Sequence, residues 1–580
     1  MTVLHGIAAS AGIAIARAFV LHDDENPKVP RYAITLSDVE SEWSRFINAL
    51  GRAREEIIVL RDKTKKETGD EQSAIFDSHL LMLDDPDLHN SIQNSLKSTL
   101  YNIEWVLYQY AADLIQQIEM LDNPILQERS SDIYDVTHRI LNHLMYRERF
   151  SLADINHDIV LIAHNLLPSD IVSMNKKHIK ALVMDAGGKT SHTAILARAF
   201  EIPAVLGLGN VTQAIKNDEL IIVDGDSGVL YVNPEPEQRA YYDGIIRKKE
   251  QALKVLLSEI NRPATTLDGK ICTIKANIEI PEETAAVKKY GAEGIGLFRS
   301  EFLFLQSKHV PDEEAQFQAY KKVLEDLAPK PATIRTLDLG GDKVAPELFI
   351  SEEKNPLLGW RAIRYCLSDT ELFQTQLRAL LRASVYGELK IMFPMISGVQ
   401  EVELALEQLE QAKEYCRSKD IVIKDTIPVG IMIEIPSAAL IADILAQKVN
   451  FFSIGTNDLI QYTIAVDRGN EKVAYLHDQF HPAVLRLIRH IIEEGHKAGI
   501  SVGMCGEMAS DPLALPLLLG FGLDEFSMSA ISVPRTKQII RSLQYNEAKE
   551  LAEYSVALEN SAKIVSHIKN YLSDKISDTI

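Results

Sequence analysis

The segment Asp185-Ala-Gly-Gly-Lys-Thr-Ser-His192-Thr-Ala-Ile-Leu-Ala-Arg198 leaves a short apolar run at residues 181–184, crosses a glycine-rich turn and enters a helical stretch. Thr190 or Ser191 suits the cap of that helix. His192 then falls in the first turn, where free backbone N–H groups and the positive end of the helix dipole favour an anion by about 0.3–1 kcal/mol at an exposed position. The same field disfavours imidazolium and keeps the ring nucleophilic. A phosphoryl group carried on His192 would be stabilised there, with Lys189, Thr190 and Ser191 as added donors. A capping-region histidine without chemistry is the competing reading.

A second group of residues lies in the C-terminal half. Gly294-Ile-Gly-Leu-Phe-Arg299 ends an apolar run on Arg299, Arg335-Thr-Leu-Asp-Leu-Gly-Gly-Asp-Lys343 supplies Arg335 and Lys343, and Asn355-Pro-Leu-Leu-Gly-Trp-Arg361 adds Arg361. Converging guanidinium groups suit a small ligand that carries both phosphate and carboxylate, since each can engage two oxygens at once. Glu434 closes Gly430-Ile-Met-Ile-Glu434, and Asn457 with Asp458 closes Phe451-Phe-Ser-Ile-Gly-Thr-Asn-Asp458. All-oxygen ligation with few protein ligands is what Mg2+ takes when phosphate fills its other positions, which makes Glu434 and Asp458 the candidate metal ligands. Arg468, in Ala465-Val-Asp-Arg-Gly469, can complete a phosphate clamp. Cys505, in Gly503-Met-Cys-Gly-Glu507, stands at the end of an apolar run, where a thiol can serve as a proton donor. Taken singly, each of these residues also fits a salt-bridged, capping or packing role. Their recurrence at successive strand ends is what argues for a site.

The elements that must position these residues read as follows. Residues 3–20 form a strand–turn–strand pattern. Phe46, Leu50, Ala53, Ile57 and Leu60 then mark one face of a helix, and Ile92, Leu96, Leu100, Ile103, Leu107, Tyr110 and Leu114 repeat the arrangement. Strands and helices alternate again over residues 158–233, with a tight turn at Asp224-Gly-Asp-Ser-Gly228, so the helical block is expected as an insertion into an α/β domain. A polar helical linker follows. Beyond it come eight short apolar runs, at 274–278, 294–298, 333–337, 389–393, 429–433, 451–454, 501–504 and 525–528, mostly separated by helical stretches. That count and length predict a (β/α)8 barrel whose chemistry collects at the C-terminal strand ends; a doubly wound open sheet is the alternative. The expected division is residues 1–35 with 148–233 as the α/β domain, 36–147 as the helical insert, 234–262 as the linker, 263–545 as the barrel and 546–580 as a closing helix and tail.

The 580 residues are too many for one domain, and 61 Lys and Arg against 82 Asp and Glu give a net charge of −21. That excess argues against generic nucleic-acid or anionic-lipid binding and leaves a basic protein partner open. Four dispersed cysteines suit a reducing compartment and give no support to a zinc site. No apolar run reaches the roughly 20 residues of a membrane span, and Met1–Val20 lacks a basic leader region, so a cytoplasmic location is expected.

The segment from Asp185 through Glu201-Ile-Pro-Ala-Val-Leu-Gly207 resembles the phosphohistidine motif shared by enzyme I of the bacterial phosphotransferase system, pyruvate phosphate dikinase and phosphoenolpyruvate synthase. The C-terminal motifs, above all residues 451–470 and 521–534, resemble enzyme I, and the likeness spans nearly the whole chain in family order. It implies an α/β multidomain protein: a phosphohistidine α/β domain with an inserted helical subdomain, then a C-terminal TIM barrel. It implies phosphoenolpyruvate binding at Arg299, Arg335, Asn457 and Arg468, with Mg2+ at Glu434 and Asp458. Cys505 would be the proton donor and His192 the phosphoryl acceptor. HPr would dock on the helical insert, pyruvate would be released, and the protein would form a homodimer through the barrel. Lys189 replaces a more usual Arg. Asn165-Leu-Leu-Pro-Ser-Asp170 and Tyr475-Leu-His-Asp-Gln-Phe-His-Pro482 also depart from the family pattern. A dikinase or synthase would need a large nucleotide-binding domain, for which no motif is evident. A regulatory paralogue in a nitrogen-related relay, typically with an added N-terminal sensor domain, is the remaining alternative.

Overall fold

The computed structural model describes residues 2–21, 29–68, 70–119, 124–145, 155, 157–164, 166, 174–175, 177–188, 192–306, 310–340, 353, 355–467, 470, 472–573 and 575. The chain divides into two compact units, residues 1–250 and 251–580.

In the first unit an eight-stranded sheet runs in the order Thr2–His5, Val229–Val232, Leu220–Asp224, Ile13–Leu21, Ile159–Ala163, Ile179–Met184, Ala204–Leu206 and Ile7–Ser10. The four strands from Ile13–Leu21 to Ala204–Leu206 are mutually parallel, and the others pair antiparallel. Ile159–Ala163 is apolar without alternation and buried throughout, as a central parallel strand covered on both faces must be. Gly228 takes φ +72° at the end of the Asp224 turn, while the Asp224 carboxylate accepts the N–H groups of Asp226 and Ser227.

Among the described residues five helices, Val39–Thr68, Asp70–Leu83, Pro86–Thr99, Ile103–Glu119 and Pro124–Leu144, lie in sequence between the adjacent parallel strands Ile13–Leu21 and Ile159–Ala163. The block is therefore an insertion into the crossover. Phe46, Leu50, Ala53 and Ile57 are buried in its core together with Ile92, Leu96, Ile103 and Leu107. The apolar repeat across residues 92–114 conceals a break, however. Leu100 adopts φ 52°, ψ 40° and caps the helix Pro86–Thr99. The Asn102 side chain then accepts the Tyr32 N–H at 3.0 Å and donates to the Pro30 carbonyl at 2.7 Å and to Glu104 at 2.9 Å. The backbone groups that the break exposes are met by other bonds: the Leu100 N–H donates to the Leu96 carbonyl at 3.2 Å, the Ile34 N–H to the Leu100 carbonyl at 2.8 Å, and the Ile103 N–H to the Glu42 carboxylate at 2.8 Å. No glycine or proline marks the position, so helical periodicity alone runs straight through it.

The helix Pro236–Ser258 leads into the second unit. Its eight parallel strands are Ile271–Ile278, Ile295–Arg299, Pro331–Arg335, Glu388–Phe393, Val429–Ile433, Phe451–Ile454, Ser501–Met504 and Glu525–Ser529. Ile271–Ile278 pairs with both Ile295–Arg299 and Glu525–Ser529, which closes the sheet into a barrel and excludes the open alternative. Two helices, Tyr545–Ser555 and Ser561–Ser573, end the described chain, and they bury Leu551, Ile564, Ile568 and Leu572 in the barrel's outer core.

Toward the N-terminal end of the strands Lys275 is buried and pairs with Glu525 at 2.6 Å, with Lys390 3.7 Å from the same carboxylate. Burial holds the Lys275 ammonium below its ordinary pKa, and Glu525 only partly opposes it. Glu525→Ala is expected to destabilise the barrel by about 3 kcal/mol at neutral pH, because a buried charge loses its partner. A group whose folded pKa is depressed destabilises as pH falls through that pKa, so the deficit should be smaller at pH 10 than at pH 7 in urea unfolding.

Candidate active site at the C-terminal rim of the barrel

Because the barrel strands are parallel, their C-terminal ends share one rim. Arg299 and Arg335 are the last residues of their strands. Glu434 follows Val429–Ile433, and Cys505 follows Ser501–Met504. Asn457 and Asp458 lie in the first turn of the helix Thr456–Ile464, just past Phe451–Ile454. Hydrophobic strand interiors terminated by these polar residues thus bring six of the anticipated groups to one place.

Arg335 is buried and pairs with Glu301 and, at 3.0 Å, with Asp338; its other terminal nitrogen lies 3.5 Å from the Met432 sulfur. Arg361, also buried, sits 3.0 Å from the second oxygen of Asp338, 3.3 Å from the Tyr462 hydroxyl and 3.6 Å from Asp458. Asp338 therefore uses one oxygen for each guanidinium and fixes their separation. Charges of this kind, ionised and mutually paired, hold position better than solvated arginines. Arg299 is more open and pairs with Glu279 at 2.6 Å.

Two buried guanidiniums here face four carboxylates: Glu301, Asp338, Glu434 and Asp458. Glu434 is almost wholly buried and accepts the Met395 N–H at 2.6 Å. Its carboxyl is pushed up to about 8, first by burial and then by Asp458 and Asp338, with Arg335 and Arg361 opposing. An added side chain at Gly455 would stand 2.8 Å from the other Glu434 oxygen, so the glycine keeps that oxygen accessible to its surroundings. Excess negative charge on hard oxygen donors is the condition a divalent cation relieves, and the Glu434 and Asp458 pair fits one. Among the described residues no group of three or more His, Cys, Asp or Glu is arranged to hold a metal on protein atoms alone.

Cys505 is buried with Leu297, Met392, Met432 and Phe451 inside the barrel, and its N–H donates to Ile454 at 3.2 Å. Burial pushes its thiol up; a hydrogen bond from Ser453 and the positive charges of Arg335 and Arg299 oppose this, while Glu434 adds to it. A thiol so held stays protonated near neutrality, which is the state a proton donor needs. Asn277 donates to the Cys505 carbonyl at 2.9 Å and accepts from the Ser527 hydroxyl at 2.6 Å, tying the first, seventh and eighth strands beneath it.

His192 opens the helix His192–Ala199 in the other unit, after the glycine-rich turn. The buried Asp185 carboxylate accepts from the backbone of Val211 and from Thr212, and lies 3.3 Å from His164 Nδ1. Lys189, Thr190, Ser191, Lys343 and Arg468 fall outside the described residues. Glu301, Asp338, Tyr462 and His477 were not singled out by the sequence, although Asp338 stands inside the motif quoted for Arg335 and Glu301 lies two residues beyond Arg299. Their significance is a cross-element pairing, which no local pattern displays.

Comparison with known proteins bears on both units. Residues 255–545 match the family described as PEP-utilising enzyme, PEP-binding domain; residues 5–129 match PEP-utilising enzyme, N-terminal; and residues 155–228 match PEP-utilising enzyme, mobile domain. The phosphoenolpyruvate-protein phosphotransferase of Bacillus sp. (strain S) is 46% identical over 571 residues, covering 98% of each chain. The chain belongs to the phosphoenolpyruvate–protein phosphotransferase family. The Geobacillus stearothermophilus member is likewise 46% identical over 98% of each chain, and the Bacillus subtilis (strain 168) member is 44% identical over 98% of this chain and 99% of its own. A solution NMR structure of an enzyme I protein is 38% identical, covers 43% of this chain and 99% of that one, and superposes with a TM-score of 0.38. Membership of the family makes this chain an enzyme of the phosphotransferase class, with a fold in which the PEP-binding domain is the barrel. Among the described residues no helix is long and apolar enough to cross a membrane.

Proposed function

We propose that this chain takes the phosphoryl group of phosphoenolpyruvate at the barrel rim, carries it on His192 and delivers it to a histidine of HPr, releasing pyruvate, as the first step of sugar uptake by the phosphotransferase system. The observation that carries the reading is the Asp338-bridged pair of buried guanidiniums beside Glu434, Asp458 and Cys505 at one rim. Arg299, Arg335, Arg361, Asn457 and, from sequence, Lys343 and Arg468 bind the phosphate and carboxylate. Glu434 and Asp458 would hold Mg2+, which offsets charge on the transferring group and on the enolate. The P–O bond to the enol oxygen breaks as an imidazole nitrogen of His192 bonds to phosphorus. The electron pair left on the enolate takes a proton from the Cys505 thiol at its terminal carbon, giving pyruvate and a thiolate that is reprotonated from solvent.

His192 and the rim belong to different units, so the proposed transfer passes from one unit of the chain to the other. HPr would meet the helical insert, where the exposed Leu81 neighbours the exposed Asp84, Asp85 and Asp87, an apolar spot within an acidic surface suited to a basic partner. A homodimer through the barrel is supported by two exposed apolar side chains, Leu358 in the connection after the third strand and Tyr475 in the connection between the helices Thr456–Ile464 and Pro482–Lys497. A cytoplasmic location is supported by four free, buried cysteines.

Cys505→Ser is expected to lower pyruvate formation about a hundredfold while the phosphoenolpyruvate concentration for half-saturation changes little. Steady-state assays with HPr check this, and an unchanged rate would return Cys505 to a packing role.

A further inference from the structure

Among the described residues between Ala465 and Pro482 the one regular element is the short 3-10 turn Ala474–Leu476, and the connection ends in the stretch Tyr475-Leu-His-Asp-Gln-Phe-His-Pro482. One side chain from this stretch reaches the rim. His477 Nε2 lies 3.2 Å from the backbone carbonyl of Asn457, in the first turn of the helix Thr456–Ile464. A carbonyl only accepts, so Nε2 carries the proton in this bond. The Asn457 carboxamide is held as well: its Oδ1 accepts the Glu507 N–H and its Nδ2 donates to the Glu507 carboxylate, both at 3.4 Å. His477 and Glu507 thus grip Asn457 from two sides, one on the main chain and one on the side chain.

The geometry points to His477 as a positioning residue for phosphoenolpyruvate binding, acting through Asn457. The inference rests on the reading of Asn457 as a substrate-binding residue. Asn457 is the second residue of a helix whose N-cap, Gly455, has no side chain with which to make a capping bond. A first turn without such a bond frays more readily, and a ligand bound there gains from any tether that keeps its N–H groups and carboxamide in place. His477 supplies that tether from the following connection, which is otherwise fastened by Gln479 to Asp511 and by burial of Phe480. It touches neither Cys505 nor Glu434 in any bond described, so the bound state should suffer from its loss while the chemical step does not.

The test uses the full-length chain, with radiolabelled phosphoenolpyruvate and Mg2+, and reads the initial rate of protein phosphorylation against substrate concentration. His477→Phe keeps a ring without a donor, and His477→Gln keeps a donor without the ring. His477→Glu is nearly isosteric with Gln but presents only acceptors. Phe and Glu should raise the half-saturating concentration about fivefold, the loss expected for one hydrogen bond, with the maximal rate changed less than about twofold. Gln should restore the wild-type value. Equal half-saturation in all three overturns the inference, as does a fall in maximal rate with half-saturation unchanged. Asn457→Ala separates the two levels. If it raises half-saturation while the His477 variants do not, the tether is wrong and the role of Asn457 stands; if it too has no effect, both fall.

Discussion

His192→Ala is expected to abolish the covalent phosphoprotein and to leave phosphoenolpyruvate binding intact. This is the largest effect expected, because the residues proposed for the two functions reside in separate compact units of the chain. The groups proposed to bind substrate and metal are anchored within the barrel: Arg335 by Glu301 and Asp338, Arg361 by Asp338 and Tyr462, Glu434 by the Met395 N–H. None of those bonds involves the unit that carries His192. Loss of the imidazole removes the only proposed acceptor, so label incorporation should fall to background, whereas calorimetric binding of phosphoenolpyruvate in the presence of Mg2+ should stay within about twofold of wild type, as expected for a remote, independent site. A variant that loses both would mean that the carrier unit helps to form the substrate site.

Glu434→Gln should nearly extinguish phosphoryl transfer and yet stabilise the metal-free protein at alkaline pH. The carboxyl is pushed up to about 8 against an ordinary value of 4.5. A group whose folded pKa is raised gives stability that is complete below its ordinary pKa and lost as pH rises through the folded value. The wild-type barrel should therefore lose stability between about pH 5 and pH 8 from this residue, and the amide, which never ionises and still offers an oxygen to Met395, should not. Each kcal/mol recovered corresponds to about 2–4 °C in Tm for a domain of 150–250 residues. Melting at pH 5.5 and 8.5 without divalent cations checks the slope. In activity the loss of a metal-holding carboxylate is expected to cost about a hundredfold or more. Added Mg2+ should raise the wild-type Tm more than that of the variant. A variant with wild-type rate, or with the wild-type dependence of Tm on pH, would contradict the role given to Glu434. The pairing of higher stability with lost function is the ordinary cost of concentrating like charges in an active site.

Much of this architecture was legible in the chain because the signals are local. Strands buried on both faces read as short apolar runs, and each expected run overlaps an observed barrel strand. Closure was also foreseeable from count and spacing, but only the pairing of Ile271–Ile278 with Glu525–Ser529 decides it. The break at Leu100 was not legible: a residue in the left-handed conformation, supported by Asn102 reaching back to Pro30 and Tyr32, leaves no mark on the apolar repeat. The site divides in the same way. Arg299, Arg335, Glu434, Asp458 and Cys505 stand at strand ends, where position along the sequence maps onto position on the rim. The residues that organise them do not. Asp338 matters because it bridges Arg335 to Arg361, Tyr462 because its hydroxyl accepts from Arg361 and donates to the Leu357 carbonyl at 2.5 Å, and His477 because it reaches a carbonyl twenty residues earlier. Such roles depend on which elements become neighbours, and only the folded structure supplies that.

The central claim is that the barrel opens the enol phosphate and an imidazole of the other unit receives the phosphoryl group. Purified full-length protein incubated with radiolabelled phosphoenolpyruvate and Mg2+, then digested and mapped, tests it most directly. The claim predicts one acid-labile, base-stable label on the peptide that contains His192, dependent on the divalent cation. Label on any other side chain, or no label at all, would contradict it.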